Sequence, residues 1–180
     1  MKGGREDIKK VVEQMGEGLE PDQAKKLEAL GSKIAGGGVS PRDAMGLDDK
    51  MIEGIYAQAY RLYNTGKYKE ASQLFRLLIM LNGAEPKYSL GFAACFHMSK
   101  EYATAAEVYT TCGMIDPNNP IPHYHASDCY VQLGDKISAL IALEMAVKRS
   151  GTKPEYSQLK DRALMTIESL KADIAKPDTP

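Results

Sequence analysis

The stretch GKYKEA at residues 66–71 has two weaker copies in the same chain, KEYATA at 100–105 and GDKISA at 134–139. The matched positions Gly66, Lys100 and Gly134 follow one another at intervals of 34 residues. A fixed period of this length is typical of proteins that stack one helix pair upon another. The sequence therefore predicts an array of helix pairs.

Each copy continues with a small residue that is followed four positions later by a large one. The pairs are Ala71/Phe75, Ala105/Tyr109 and Ala139/Leu143. The small residue lets a neighbouring helix approach closely, and the large residue fills the space one turn further along. Because neither helix of a pair can bury its apolar face alone, each pair needs the next one.

Over residues 52–153 this pattern resembles the tetratricopeptide repeat, with Lys100 in place of the usual turn glycine in the second unit. The predicted fold class is all-α: three tandem tetratricopeptide-like helix pairs in a short superhelix, with N-terminal helices and a C-terminal capping helix. The predicted divisions are 1–51 for the N-terminal helices and glycine-rich linker, 52–85, 86–119 and 120–153 for the repeats, and 154–180 for the capping helix and a frayed tail.

Charge and hydropathy limit the kinds of partner. The chain has 23 basic and 24 acidic residues, a net charge of -1, and no basic run, so we expect no nucleic-acid partner. Neither an apolar signal segment nor about 18 consecutive apolar residues is present, so we expect a cytoplasmic protein that does not insert into a membrane. Three cysteines without a CxxC pair fit a reducing compartment.

The concave wall of such an array is lined by the first helix of each unit. The second, fifth, ninth and twelfth places of the units are Glu53, Tyr56, Tyr60 and Tyr63, then Lys87, Leu90, Ala94 and His97, then Ile121, Tyr124, Asp128 and Val131. Tyrosine has a rigid apolar face and a polar tip, so a row of tyrosines suits an extended peptide. The alternative is that the three tyrosines of the first unit are core residues.

A broader resemblance is carried by IYAQAYRLYNTGKYKEASQLFRLLIMLN (55–82), LGFAAC (90–95) and PHYHASDCYVQLGD (122–135). These segments are similar to the class II chaperones of bacterial type III secretion. The resemblance implies a groove that binds an N-terminal segment of hydrophobic translocator proteins, with no cofactor and no catalysis. It also places Tyr56, Tyr60, Tyr63 and Tyr68 at aromatic positions of that groove, and Tyr109 at a further one.

Catalytic and metal sites are not predicted. His123 and His125 lie two residues apart, so on a helix their side chains point about 200° apart, which disfavours a shared metal ion. We interpret Cys95, Cys112 and Cys129 as small core residues. Phosphate-binding loops and the common hydrolase motifs are absent. The sequence therefore predicts no catalytic residue and no metal ligand.

An apolar stripe outside the repeats consists of Ala24, Leu27, Leu30 and Ile34. It could fold back on the first repeat or pair with a second copy, and the family resemblance implies a homodimer.

Two other functions stay open. An adaptor for the C-terminal carboxylate of another chaperone needs basic groove residues, but the groove places hold Tyr56, Tyr60, Leu90 and Ala94, with Asp128 adding negative charge. A scaffold for another protein partner, using the outer face, is the other alternative.

Overall fold

The computed structural model describes residues 41–175 and six earlier residues, all six of them helical: Pro21, Lys25, Glu28, Ala29, Gly31 and Ser32. The residues predicted to mediate dimerisation, Ala24, Leu27, Leu30 and Ile34, lie outside the described residues. The dimerisation stripe therefore stays a prediction.

Every regular element between residues 41 and 175 is helical. The helices are α1 (Pro41–Ala44), α2 (Asp49–Asn64), α3 (Tyr68–Leu81), α4 (Pro86–Met98), α5 (Tyr102–Ile115), α6 (Ile121–Gln132), α7 (Lys136–Ser150), a 3-10 helix (Pro154–Tyr156) and α8 (Ser157–Ala175). Helices α2 to α7 follow one another as helix–turn–helix pairs, so the prediction of an all-α fold with tetratricopeptide-like pairs is confirmed.

The chain forms two compact units, of which the first comprises Met1–Gly54 with Met80–Asn82. In its described part, Arg42 Nη2 lies 2.5 Å from Asp49 Oδ1, and Arg42 Nε donates to the carbonyl of Leu47 at 3.1 Å. The Asp48 carboxylate accepts a hydrogen bond from the Met51 N–H at 2.7 Å. This bond satisfies one of the free N–H groups in the first turn of α2, which explains why that helix begins at Asp49.

The second unit comprises Ile55–Ile79 with Gly83–Pro180. Here α4 packs on α5, α5 on α6, α6 on α7, and α7 on α8. The core between α4 and α7 is rich in alanine: its buried members are Ala93, Ala105, Ala106, Tyr109, Ala126, Cys129 and Ala142. Small side chains let helix backbones approach closely, so this core is thin and its few large residues carry much of the packing.

The small and large positions of the repeat are buried as the sequence predicts. Ala71, Ala105 and Ala139 are each 0% exposed, and the large residues Phe75, Tyr109 and Leu143 are at most 2% exposed. At the C-terminal end, Ala163, Ile167 and Leu170 of α8 pack with Ala139 and Leu143 of α7. Helix α8 therefore covers the apolar face that the last pair leaves.

The turn inside each pair has one conformation. Gly66, Lys100 and Gly134 have φ angles of 77°, 63° and 75°. In each turn the next residue, Lys67, Glu101 or Asp135, donates its N–H to the carbonyl five positions earlier at 2.9 Å. This is the hydrogen bond that closes a helix followed by a left-handed residue. The 34-residue period therefore extends to individual backbone hydrogen bonds.

Candidate functional site

One open cleft of about 210 Å³ lies in the second unit, and we name it the aromatic cleft. It is lined by residues from α2 to α6: Tyr56, Tyr60, Tyr63, Phe75, Lys87, Leu90, Gly91, Ala94, Tyr109 and His125.

The wall of the aromatic cleft is a row of three tyrosines on α2. The ring centroids of Tyr56 and Tyr60 are 6.4 Å apart, and those of Tyr60 and Tyr63 are 6.5 Å apart, with 27° between the ring planes in both pairs. Their spacing of four and three residues places them on one helix face. Tyr60 is 53% exposed, and its two neighbours are partly buried. The row therefore presents a continuous apolar ring surface to the cleft.

The floor of the aromatic cleft depends on a close contact between two helices. Phe75 of α3 is 2% exposed and meets Tyr56 edge to face at 6.1 Å. A Cβ atom added at Gly91 of α4 would lie 2.3 Å from the Phe75 ring. Only glycine at position 91 leaves room for this ring, so Gly91 lets Phe75 form the floor.

The rim carries a positive charge. Lys87 Nζ lies 4.5 Å from the ring centroid of Tyr56 and 5.6 Å from that of Tyr88. A cation over a tyrosine face is attracted by the electron density of the ring. Lys87 therefore helps to hold the Tyr56 ring in place.

The far end of the aromatic cleft is polar. The His125 ring stacks on Tyr109 at 5.4 Å and lies 6.2 Å from the His97 ring. His125 Nδ1 is 3.9 Å from Asp128 Oδ2, and both side chains are about half exposed. The cleft thus runs from an apolar wall to a group of titratable side chains.

Burial sets the protonation of these groups. It lowers the pKa of His125, against the opposing effect of Asp128 and with a further lowering by His97. Burial also raises the pKa of Asp128 and of Tyr109, and it raises the pKa of Tyr63, whose neighbour Tyr68 adds to the shift. At neutral pH, His125 is therefore uncharged, and Tyr63 and Tyr109 keep their hydroxyl protons.

The structure brings together about half of the predicted groove residues. Tyr56, Tyr60, Tyr63, Lys87, Leu90 and Ala94 all line the aromatic cleft. His97 lies at its polar end beside Tyr109 and His125, and Asp128 lies beside His125. That these side chains bind a peptide stays a prediction.

Three predicted positions differ from the expectation. Tyr109 is 2% exposed, because it is the large residue of the small-large pair and fills the core between helices; it reaches the aromatic cleft only as part of the floor. Tyr68 contacts Tyr63 at 5.5 Å but lines a different cleft of about 530 Å³, with Arg76, Phe92 and Phe96. Tyr124 packs towards the core of α7 and α8.

Phe75, Gly91 and His125 line the aromatic cleft although the sequence did not predict them as site residues. Gly91 and His125 are 34 residues apart, so they hold the same place of two successive units, directly after the predicted places of Leu90 and Tyr124. One residue along a helix turns the side chain by about 100°. The repeat register could have revealed this second lining position.

The three cysteines are buried and free. Burial raises the pKa of Cys95 to about 12 and the pKa values of Cys112 and Cys129 to about 11. At neutral pH these groups are thiols, and the thiol is a poor nucleophile. The interpretation of the cysteines as core residues is confirmed.

The described residues hold neither a metal cluster nor a membrane-spanning helix. No three side chains of His, Cys, Asp or Glu come together there in a way that could hold a metal ion. In the same part of the chain, no helix is both long enough and apolar enough to cross a bilayer.

Comparison with known proteins agrees with this architecture. Residues 52–82 and 87–114 match the tetratricopeptide repeat family. The chaperone protein SicA of Salmonella typhimurium is 28% identical over 134 residues, which cover 74% of this chain and 79% of SicA. The translocator chaperone SycD of Yersinia enterocolitica superposes with a TM-score of 0.68 at 27% identity, covering 72% of this chain and 90% of SycD.

A further solved structure is that of PcrH, known from Pseudomonas aeruginosa, in complex with the chaperone binding region of PopD. It superposes with a TM-score of 0.68 at 30% identity and covers 71% of this chain and 96% of that PcrH chain. The helix pairs and their alanine-rich core define the chain as a tetratricopeptide-repeat protein. Within that class, it belongs to the family of type III secretion translocator chaperones.

Proposed function

We propose that the protein is a chaperone that binds an extended N-terminal segment of its hydrophobic translocator proteins in the aromatic cleft. Binding there keeps the translocators soluble and competent for export. The observation that carries the proposal is the row of Tyr56, Tyr60 and Tyr63, stacked at 6.4 and 6.5 Å in an open cleft.

The relatives support the choice of client. PcrH has been solved with the chaperone binding regions of both PopD and PopB, and SycD with a peptide of the translocator YopD. This chain covers 96% and 97% of the two PcrH chains, so nearly the full length of the binding protein is matched.

The chemistry of the cleft fits an apolar client segment. Aromatic rings bury a large area with little loss of side-chain entropy, and their faces pack well against aliphatic or proline side chains. Among the described residues that line the cleft, Lys87 is the one lysine, arginine or acidic residue, and its Nζ lies over the ring of Tyr56. An adaptor for a C-terminal carboxylate would need several cations there, so this arrangement favours the translocator function.

The test starts by finding the client. The chaperone is expressed together with the genes that neighbour its own, and the protein that copurifies with it is identified. A fluorescently labelled N-terminal segment of that protein, the client peptide, is then titrated with the wild type, Tyr60→Ala and Tyr63→Ala. Each substitution should weaken binding at least about tenfold, because it removes a ring at the centre of the contact.

The matched control is Tyr156→Ala, since Tyr156 is a partly buried tyrosine of the 3-10 helix and lies outside the cleft lining. It should leave affinity unchanged. Circular dichroism melts of every variant separate lost binding from lost folding. Normal binding by folded Tyr60→Ala and Tyr63→Ala would refute the aromatic cleft as the client site.

The proposal extends to self-association and to location. SycD is known in more than one dimer form, and we propose that this chain also pairs, through Ala24, Leu27, Leu30 and Ile34. Sedimentation of the full-length protein tests this, and a monomer at all concentrations would contradict it. We further propose that the protein works in the bacterial cytoplasm and acts by binding alone, without catalysis.

A further inference from the structure

His125 and its neighbours form a cluster of titratable groups on the surface that a client would cover. The His125 ring lies between Tyr109, stacked at 5.4 Å, and His97, edge to face at 6.2 Å. Asp128 stands one turn along the same helix, with its Oδ2 3.9 Å from His125 Nδ1. The side chain of His125 is 40% exposed, so a client that fills the cleft buries the remaining part.

The titratable groups near His125 come from several helices. Helix α4 contributes His97 and, at the rim, Lys87, and α5 contributes the hydroxyl of Tyr109. Helix α6 itself contributes Asp128, Tyr124 and the thiol of Cys129. Helix α7 packs on α6, and its Arg149 acts on His123. Asp128 therefore supplies the negative charge that acts on His125, and His97 opposes its effect.

A proton on His125 opposes burial by the client. Covering an imidazolium with apolar surface removes its hydration, and this is unfavourable unless a partner charge compensates. Burial in the free protein already lowers the pKa of His125 despite Asp128, so desolvation outweighs the compensation before any client is bound. Further burial acts in the same direction.

We propose that His125 is a client-binding residue that must be uncharged, so that the aromatic cleft holds its client at neutral pH and loosens it on acidification. This inference rests on the function proposed above.

The sign of the pH dependence follows from linkage. The client prefers the uncharged imidazole, so binding releases a proton and lowers the pKa of His125 further. Client affinity is then at its maximum above the pKa of free His125, and it declines as the pH falls through that pKa. Because that pKa lies below the ordinary value for histidine, the decline belongs to mildly acidic pH.

The experiment titrates the full-length protein with the labelled client peptide at pH 7.5 and pH 5.5. For the wild type, the dissociation constant should rise between the two values by less than about tenfold, because a free pKa one unit above pH 5.5 would give a factor of about ten and the pKa of His125 lies below the ordinary value. In His125→Gln, the ratio of the dissociation constants at pH 5.5 and pH 7.5 should fall close to one, whatever the affinity of this variant at pH 7.5. Acidic groups of the peptide titrate in the same way with both proteins, so the comparison of the wild-type ratio with the His125→Gln ratio removes their effect.

Two further variants distinguish a charge effect from a packing effect. Asp128→Asn removes the group that raises the pKa of His125, so the midpoint of the affinity decline should move to lower pH. His123→Gln is the matched control, because His123 lies beside Gly113 and Arg149 and outside the cleft lining. It should keep the wild-type ratio. Histidine proton shifts in NMR should show the pKa of His125 falling when the peptide is added.

The outcomes separate the two proposals. A wild type that fails to bind at pH 7.5 contradicts the proposed function, and the present inference fails with it. Equal affinity at both pH values, or a ratio that His125→Gln leaves unchanged, overturns the role of His125 alone. A midpoint that Asp128→Asn leaves in place would also overturn it.

Discussion

The aromatic cleft has tyrosines in its wall and one tyrosine, beside Phe75, in its floor, and the two kinds of tyrosine have different environments. Tyr60 in the wall is 53% exposed and touches its helix neighbours Tyr56 and Tyr63. Tyr109 in the floor is 2% exposed and sits in the alanine-rich core of the following helices. The first ring is available to a partner, whereas the second is committed to the fold.

Residue type alone therefore does not show whether an aromatic residue of a repeat protein is exposed to a partner or packs in the core. The core around Tyr109 is thin because alanines bring the helices together, so one large ring fills much of it. The wall rings project from a single helix, and their mutual stacking requires no other helix. Substitutions in wall and floor should therefore affect different measurements.

The largest expected effect comes from truncating the floor ring. Tyr109→Ala should reduce the free energy of unfolding by about 3 to 5 kcal/mol, because it leaves a cavity in a tightly packed core. Tyr60→Ala should change it by less than about 1 kcal/mol, since the ring is half exposed. Urea unfolding followed by circular dichroism measures both. Equal losses from the two substitutions would mean that wall and floor are one core.

A smaller effect is expected where the floor meets α4. Gly91→Ala places a Cβ atom 2.3 Å from Phe75, a buried ring with little freedom to move. Overpacking of this kind should cost about 1 to 3 kcal/mol of stability. Because Gly91 and Phe75 both line the aromatic cleft, client affinity should also fall.

The matched control for this substitution is Gly54→Ala in α2. Among the described residues, no atom lies within 4 Å of a Cβ added at Gly54. Alanine is the better helix former, so this variant should be as stable as the wild type or up to about 1 kcal/mol more stable. A loss at Gly54 that equals the loss at Gly91 would contradict the role of the Phe75 contact.

The helix pairs could be predicted because their signal is periodic. The 34-residue period, the buried small residues Ala71, Ala105 and Ala139, and the large residues that follow them depend on contacts that recur in each pair. The lining of the cleft is less regular. In the third pair it uses His125 rather than Tyr124, a change of one residue that rotates the side chain by about 100°.

Gly91 shows a second limit of prediction from sequence. Its function depends on Phe75, a residue of the preceding helix pair, and on the distance at which α3 and α4 pack. No local pattern encodes that distance. Tyr109 shows a third limit: the family resemblance and the repeat pattern assigned it different environments, and only packing decides between them.

The smallest expected effect concerns the turns inside two helix pairs. The wall pair is α2 and α3, whose first helix carries the tyrosine row, and the floor pair is α4 and α5, whose second helix carries Tyr109. In the wall pair the left-handed position is Gly66, with φ 77°, and in the floor pair it is Lys100, with φ 63°. A residue with a Cβ atom pays roughly 1 to 2 kcal/mol for this conformation, and glycine avoids most of that strain while losing more entropy on folding. Lys100→Gly should therefore stabilise the protein by about 1 kcal/mol and raise its melting temperature by about 2 to 4 °C.

The reciprocal variant is Gly66→Lys, which places the strained residue in the wall pair. No described atom lies within 4 Å of a Cβ added at Gly66, so the substitution tests backbone conformation without a steric clash. It should lower stability by about 1 kcal/mol. Both residues are exposed and lie outside the cleft lining, so client affinity should not change in either variant. If Lys100→Gly destabilised the protein, the turn of the floor pair would depend on the lysine side chain, and the equivalence of the two turns would be limited to their backbone geometry.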